Sequence, residues 1–322
     1  MRAIVCRQYG SPETALRIED VEKPTPGDDE VLIRVRAAAV NPLDWHLMKG
    51  RPYGFRLLTG LIRPRDTRPG RDLAGQVEAV GRNAVRFEPG HEVFGVGRGA
   101  FAEYACARAA KLTVKPATVT FAQAASAPIA GITALQALRD KGQLQAGHRV
   151  LINGAAGGVG MFAVQVAKSM GAEVTGVCSS RNVDMVRRLG ADHVIDYTKE
   201  DFTRRGQWDL VLDSIRNHPL LAIRRVLTRD GRLIVIGAPT GRWFVTLVGG
   251  LVKPFVVSPF VSQKLTFMVA NITQADLARL GDLMANGTLT PVIDQREDLA
   301  SVPQAIRDVA TRHARGKVVI VL

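Results

Sequence analysis

Apolar residues come in short runs through the first third of the chain, at Ala3–Cys6, Glu30–Val40, Gly75–Val80, His91–Val96 and Ala102–Cys106. Proline and glycine punctuate them, as at Pro24–Gly27 and Glu88–Gly90. Short strands with frequent turns predict a compact all-β, barrel-like unit. From Phe121 the period changes. Phe121–Leu138 is rich in alanine and predicts a helix. Apolar runs then alternate with helical stretches: strand Arg149–Asn153, helix Gly158–Met170, strand Glu173–Cys178, helix Val183–Leu189, and strands His193–Asp196, Asp209–Asp213 and Arg232–Ile236. Such alternation predicts an α/β fold with a parallel, doubly wound sheet. The tail is mixed, with helices at Gln274–Ala285 and Val302–Thr311 and a last strand at Lys317–Val321.

Length and composition narrow the class. A chain of 322 residues predicts two domains. Hydrophobic residues at 46% and charged residues at 23% exclude a disordered, collagen-like or coiled-coil chain. With 43 Lys and Arg against 30 Asp and Glu, the net charge of +13 suits anionic cofactors, nucleic acid or membrane surfaces without choosing among them. Cys6, Cys106 and Cys178 lie far apart and form no CxxC pair. A four-cysteine zinc site is excluded, and a reducing cytoplasm is the expected setting. The first residues carry no signal-peptide core. The longest apolar stretch, Trp243–Val261, is broken by Lys253, Pro254 and Pro259, which argues against a spanning helix. It is read as core, a dimer contact or a substrate lid.

The richest segment is Val150–Gly160, where a strand runs into glycines spaced three apart and a helix follows. This is the context of a dinucleotide fingerprint. Gly154 takes the tight turn, Gly157 lets backbone approach a pyrophosphate, and Gly160 lets the helix pack closely. Gly154, Ala155, Gly157, Gly158, Val159 and Gly160 are therefore expected at the cofactor, whose phosphates meet the helix N-terminus. An NAD site usually puts Asp or Glu at the end of the second strand. Here that position reads Cys178-Ser179-Ser180-Arg181-Asn182. Hydroxyls and a guanidinium suit a 2′-phosphate, so NADP(H) is the expected cofactor, held by Ser179, Ser180, Arg181 and Asn182.

Gly154–Gly160, Gly190–Tyr197, Gly131–Leu135 and Gly70–Gly75 together resemble the medium-chain dehydrogenase/reductase superfamily, and more narrowly its zinc-free quinone oxidoreductase branch. The resemblance spans essentially the whole chain. It implies a GroES-like β-barrel-type substrate domain over 1–122 and 288–322 and a Rossmann NADP(H)-binding domain over 123–287, with cofactor and substrate in the cleft between them. Zinc-dependent relatives carry Cys near Asn41 and a His-Glu pair where this chain has Arg71-Asp72. Asn41 is a poor zinc ligand and Arg71 cannot be one, so no metal is expected. Without a Lewis acid, simple alcohol oxidation is hard. A quinone or enone acceptor asks less of the protein.

Asn41 is a candidate hydrogen-bond donor to an acceptor carbonyl. Asp44 is read as ordering its loop, with His46 and Tyr53 the nearest candidate proton donors. Arg71 and Asp72 are read as an ion pair or an oxyanion contact. The resemblance places Thr133 at the nicotinamide end, Tyr197 near the adenosine phosphate, Gly237 and Ala238 at the carboxamide, and Lys317 close to the cofactor. It also implies a homodimer through a sheet edge, with Lys264–Ala270 the candidate strand. Two basic clusters remain. Lys49, Arg51, Arg56, Arg63, Arg65, Arg68 and Arg71 share their stretch with one acid, Asp66, and the second cluster is Arg307, Arg312, Arg315 and Lys317. The expected function is zinc-independent, NADPH-dependent reduction of quinones or α,β-unsaturated carbonyls. Two other readings stay open: a non-catalytic NADPH-binding protein touching RNA or anionic membrane through its basic clusters, and an alcohol dehydrogenase. No nucleic-acid motif is present, and a peripheral membrane contact is left open.

Overall fold

A computed structural model describes the chain apart from residues 52, 54, 55, 238–261 and 312–314 and the side chains of Leu58, Gln295 and Glu297. The expected stretch Trp243–Val261, with Ala238 and Arg312, lies outside the described residues. Two compact units emerge, Met1–Ile129 with Ile272–Leu322, and Ala130–Asn271. The boundaries expected near 122 and 288 thus shift inward. Helix Phe121–Ser126 is capped by Thr120, whose Oγ accepts from Gln123 N–H at 3.2 Å. Its Ala124, Ala125 and Ser126 are buried. Helix Gln274–Ala285 turns Gly281 toward Pro116 and Phe94 of the first unit.

In the first unit the main sheet runs Ile293–Glu297, Lys317–Val321, Glu30–Ala39, Asp72–Val80, Glu92–Val96, Leu112–Val114, and Tyr104–Arg108 also pairs with Glu30–Ala39. Register shifts at Leu32/Ile33 and Val35/Ala37 break the Glu30–Ala39 and Asp72–Val80 ladder, and such irregularities bend and twist a sheet into a curl. Arg2–Cys6 forms a separate hairpin with Leu16–Asp20. Ile33, Leu73, Phe101, Ile306, Val318 and Ile320 fill the core, each aliphatic side chain contributing roughly 1.5–3 kcal/mol.

The second unit is a six-stranded parallel sheet in the order His193–Asp196, Glu173–Cys178, Arg149–Asn153, Trp208–Asp213, Leu227–Ile236, Lys264–Met268. Counted along the chain within the unit, this is the 3-2-1-4-5-6 order of a Rossmann domain. Arg149–Asn153 and Glu173–Cys178 are buried on both faces after their first residue. That is why they read as continuous apolar runs. The fold is α/β, a GroES-like curled sheet plus a Rossmann sheet.

Three departures from the sequence reading have local causes. Phe121–Leu138 is not one helix: it breaks into Phe121–Ser126 and Pro128–Gln136, then a wide turn Ala137–Lys141. Pro128 has no N–H to continue the first helix. A helix that the sequence reading did not predict, Pro42–Lys49, starts at Asn41 as N-cap, with Pro42 in its first turn and left-handed Gly50 (φ +56°) at its end. Strands Leu16–Asp20, Leu112–Val114 and Ile293–Glu297 are short or polar and carry weak local signals.

Candidate coenzyme and substrate sites

The glycine turn is built from backbone needs. Strand Arg149–Asn153 ends at Gly154, whose φ of +92° is left-handed and whose Cβ would lie 2.5 Å from Ser214 Oγ. A Cβ on Gly160 would strike Gly154 O, so helix Gly158–Ser169 sits directly on the turn. Gly157, the N-cap, differs: a Cβ there meets only Gly154 O, at 3.3 Å. That contact is tight for a Cβ but the φ is ordinary, and the glycine leaves the helix end open and offers no side-chain cap. The first-turn N–H groups of Gly158, Val159 and Gly160 have no intrahelical acceptor. The amides of Gly154 and Ala155 are instead spent on Val177 O, at 3.2 and 3.0 Å, and Ala155 is buried.

The turn stands where strand order reverses, between Arg149–Asn153 and Trp208–Asp213. Open α/β sheets bind ligands at such a switch point. Its floor is a network that sequence reading missed. Asn153 Nδ2 donates to Asp213 Oδ1 at 2.9 Å and to Asn217 Oδ1 at 3.0 Å. Ser214 Oγ donates to Asn153 O at 2.7 Å. Asp213 Oδ1 also takes the N–H groups of Ile215 and Arg216, at 3.0 and 2.9 Å.

At the end of strand Glu173–Cys178, Ser180 and Arg181 are exposed and Asn182 is buried. Asn182 Nδ2 donates to Ser179 Oγ at 3.2 Å, while its Oδ1 is buried with no hydrogen-bond partner. A carboxylate does stand here, supplied by the neighbouring strand. Asp196 pairs with Cys178 in parallel register and accepts Ser180 Oγ–H at 2.5 Å. It also takes Thr198 N–H at 3.0 Å and Thr198 Oγ–H at 2.7 Å. The Ser180 hydroxyl, with the other donors, holds the Asp196 acid below its ordinary range. The segment Gly190–Tyr197 held this residue in plain view; only the strand register brings it to Ser180. An open helix end and exposed Arg181 fit an anionic dinucleotide.

The first unit brings together a buried cluster of charges. Lys317 Nζ donates to Asn41 Oδ1 at 2.6 Å, to Val40 O at 3.1 Å and to Asp72 Oδ2 at 3.4 Å. Asn41 Nδ2 donates to Asp72 Oδ2 at 2.9 Å and to Ala39 O at 3.4 Å. Asp72 Oδ1 accepts Ile129 N–H at 3.2 Å, and Asp44 Oδ2 accepts Asn41 N–H at 2.8 Å. Burial pushes Lys317 down and Asp72 up, and their mutual attraction pulls each back.

Four expectations change on this geometry. Asn41 is only 3% exposed and both its amide hydrogens point at protein, so it positions its neighbours rather than donating to an acceptor. Asp72 does not pair with Arg71; Arg71 binds Asp66 at 3.2 Å. Lys317 is neither a solvated lysine nor part of a basic face, being 3% exposed. Its cluster partner Arg307 pairs with Glu13. Zinc fits poorly here, since an ammonium already lies against Asn41 and Asp72 and a second cation would be repelled. Among the described residues no three His, Cys, Asp or Glu side chains converge as metal ligands.

The other expected residues are scattered. Tyr53 is 44% exposed in the first unit, its hydroxyl accepting from Arg51 at 3.2 Å. His46 Nδ1 lies 3.1 Å from Arg51 O. Thr133 is half-buried on helix Pro128–Gln136 of the second unit. Tyr197 is exposed, with its N–H on Cys178 O at 3.0 Å. Gly237, left-handed at φ +88°, follows strand Leu227–Ile236 with no described residue within 4 Å of where its Cβ would lie, and Ala238 lies outside the described residues.

A curled GroES-like sheet joined to a Rossmann sheet with a glycine turn at its switch point defines a class of two-domain dehydrogenases and reductases. The family model of the alcohol dehydrogenase GroES-like domain matches residues 27–117, and that of zinc-binding dehydrogenase matches 189–320. A chloroplast envelope quinone oxidoreductase homolog of Arabidopsis thaliana is 33% identical, with 99% of this chain and 98% of the relative covered. The quinone oxidoreductase from Coxiella burnetii has a TM-score of 0.88 at 29% identity, covering 100% of this chain and 99% of that one. A mycobacterial protein complexed with NADPH has a TM-score of 0.85 at 28% identity, with both chains covered at 100%. The chain belongs to the medium-chain dehydrogenase/reductase superfamily, in its quinone oxidoreductase-like branch.

Proposed function

We propose that this protein is a zinc-independent, NADP(H)-dependent oxidoreductase that reduces quinones or α,β-unsaturated carbonyls. One observation carries the reading: the helix end at Gly157–Gly160, without a side-chain cap and bearing no side chain but that of Val159, stands at the switch point of the parallel sheet. The phosphates belong against Gly158, Val159 and Gly160. Arg181 and Ser179 take the 2′-phosphate. Asp196 does not oppose this strongly, because three donors already meet its charge. Thr133, Tyr197 and Gly237 line the remaining length of the coenzyme. The relatives named quinone oxidoreductases and the NADPH complex support the same coenzyme and acceptor class.

Bound NADPH supplies the hydride. The chain's own residues position the acceptor and deliver one proton, which with the hydride turns a quinone into a hydroquinone. Tyr53 is the proton donor, its phenol oxygen held by Arg51. Lys317 holds Asn41 and Asp72 in place beneath the substrate side and stands in for any metal charge. Buried thiols fit the cytoplasm, and self-association runs along edge strand Lys264–Met268. The test is NADPH oxidation against a panel of quinones, enones and alkenals. Turnover of at least one acceptor is expected, with NADPH preferred over NADH. Tyr53→Phe should lower kcat by about 10²-fold or more with coenzyme binding unchanged, and Arg181→Ala should erase the coenzyme preference. No turnover above background across the panel refutes the reading.

A further inference from the structure

The segment that follows the substrate-side helix has a use the redox reading does not absorb. Helix Pro42–Lys49 begins at Asn41 and ends at Gly50, whose carbonyl accepts Arg56 Nε–H at 3.1 Å. Beyond it, a short turn Arg56–Thr59 and the loop to Arg65 are pinned to the body of the unit. Tyr9 Oη donates to Gly60 O at 2.6 Å, and Arg65 N–H donates to Thr59 O at 2.7 Å. The Arg56 guanidinium stacks on the Tyr9 ring at 4.4 Å. These anchors hold the loop backbone while Leu57, Leu61 and Ile62 point away from the core. Leu57 is 69% exposed, Leu61 65% and Ile62 90%.

Scattered exposed aliphatics need no explanation, but three together in one anchored loop do. Their surroundings name the partner. From Trp45 to Arg71 the chain carries seven Lys and Arg and one acid, Asp66. That acid is bound to Arg71. Arg63 and Arg65, which directly follow the aliphatic tip, are exposed, as is Arg51 at the start of the segment. A second copy of the chain would bring the same cations face to face. A nucleic acid would satisfy the arginines but offer nothing to Leu61 and Ile62. An anionic bilayer satisfies both, taking the aliphatic side chains into its acyl boundary and the guanidiniums at its phosphates.

We infer that Arg51 and the anchored loop 56–65 form a docking site for anionic lipid bilayers, with Leu57, Leu61 and Ile62 as the inserted tip and Arg51, Arg63 and Arg65 as the headgroup contacts. Resting on the reductase reading, the acceptor class is then a quinone dissolved in the bilayer.

The experiment is co-sedimentation of the whole protein with phosphatidylserine–phosphatidylcholine vesicles and with pure phosphatidylcholine vesicles, without coenzyme or substrate. The protein should sediment with the anionic vesicles only, and less so as salt rises. Arg63→Gln with Arg65→Gln should weaken binding about thirtyfold. Leu61→Ser with Ile62→Ser should weaken it about tenfold while keeping the salt dependence. All variants should keep NADPH affinity and turnover of a short-chain, water-soluble quinone, which shows that they are folded. No sedimentation with anionic vesicles overturns the docking site, as does binding that neither pair of substitutions alters or that prefers RNA to vesicles. Because this readout needs no turnover, its failure is separate from failure of the reductase reading. A variant that loses vesicle binding yet keeps its rate on vesicle-borne long-chain quinone overturns the acceptor class.

Discussion

Asp44 gives one carboxylate oxygen to the Asn41 N–H, and its other oxygen, Oδ1, is buried with no hydrogen-bond partner. Burial pushes this acid up to about 7, with the Asp72 charge adding and the Asn41 N–H and Lys317 opposing. The unfolded chain releases the same proton at about 3.9. Between those values the native state holds a proton that the unfolded state has lost. Asp44 therefore contributes stability that is fully present at low pH and is lost as pH rises through about 7. Asp192, Asp196 and Asp201 shift the other way, so the measurement is a difference. In urea titrations across this range, the gap between Asp44→Asn and wild type should widen in favour of the variant as pH rises. Asn keeps the acceptor for Asn41 N–H and carries no charge. Parallel profiles would show that Asp44 does not titrate there. At this scale the sequence was half legible. Asn41 and Lys317 stood out singly, but they lie 276 positions apart, and nothing in either neighbourhood announced the bond between them.

The glycine turn separates two demands within one element. Gly154 needs a left-handed φ and has Ser214 Oγ in the way of a Cβ. Gly154→Ala should therefore destabilise the unit by about 1–3 kcal/mol. Gly157 has an ordinary extended φ of −82°, and a Cβ there would meet only Gly154 O among the described residues, at 3.3 Å. Gly157→Ala should leave the melting temperature nearly unchanged yet weaken NADPH about tenfold or more, because the methyl group stands where backbone must approach phosphate. Thermal melts and fluorescence titration distinguish the two, and a Gly157→Ala protein that binds NADPH normally would remove the phosphates from this turn. The strand–glycine–helix element was fully legible because each part depends on residues next to it. Helix Pro42–Lys49 was not read, although Asn41, Pro42 and Asp44 carry its start signal, since surrounding strand patterns dominate that stretch. Leu112–Val114 is a strand through its pairing with Glu92–Val96, and its own sequence says little.

Across the whole molecule, the three thiols report on both units. Cys6 and Cys106 lie in the first unit and Cys178 in the second, all buried and unpaired. Burial pushes Cys6 and Cys178 up to about 11. A thiol reagent at neutral pH should thus label them only through opening of the surrounding structure. Cys178 directly precedes Ser179, a residue of the proposed coenzyme site. With NADPH at about 100 times its Kd, labelling of Cys178 should slow about a hundredfold, while Cys6 and Cys106 keep their rates. Mass spectrometry of labelled peptides reads all three, and equal protection or none would move the coenzyme away from this strand.

The sequence by itself determined the two kinds of unit, the Rossmann strands and the glycine turn, because periodicity and backbone preference act over a few residues. Tertiary structure alone decided which charges share a site. Antiparallel pairing of Lys317–Val321 with Glu30–Ala39 carries an ammonium to Asn41 and Asp72, and parallel register sets Asp196 beside Ser180. A buried charge takes its partner from whatever the closed sheet brings within hydrogen-bond reach, and distance along the chain has no bearing on that.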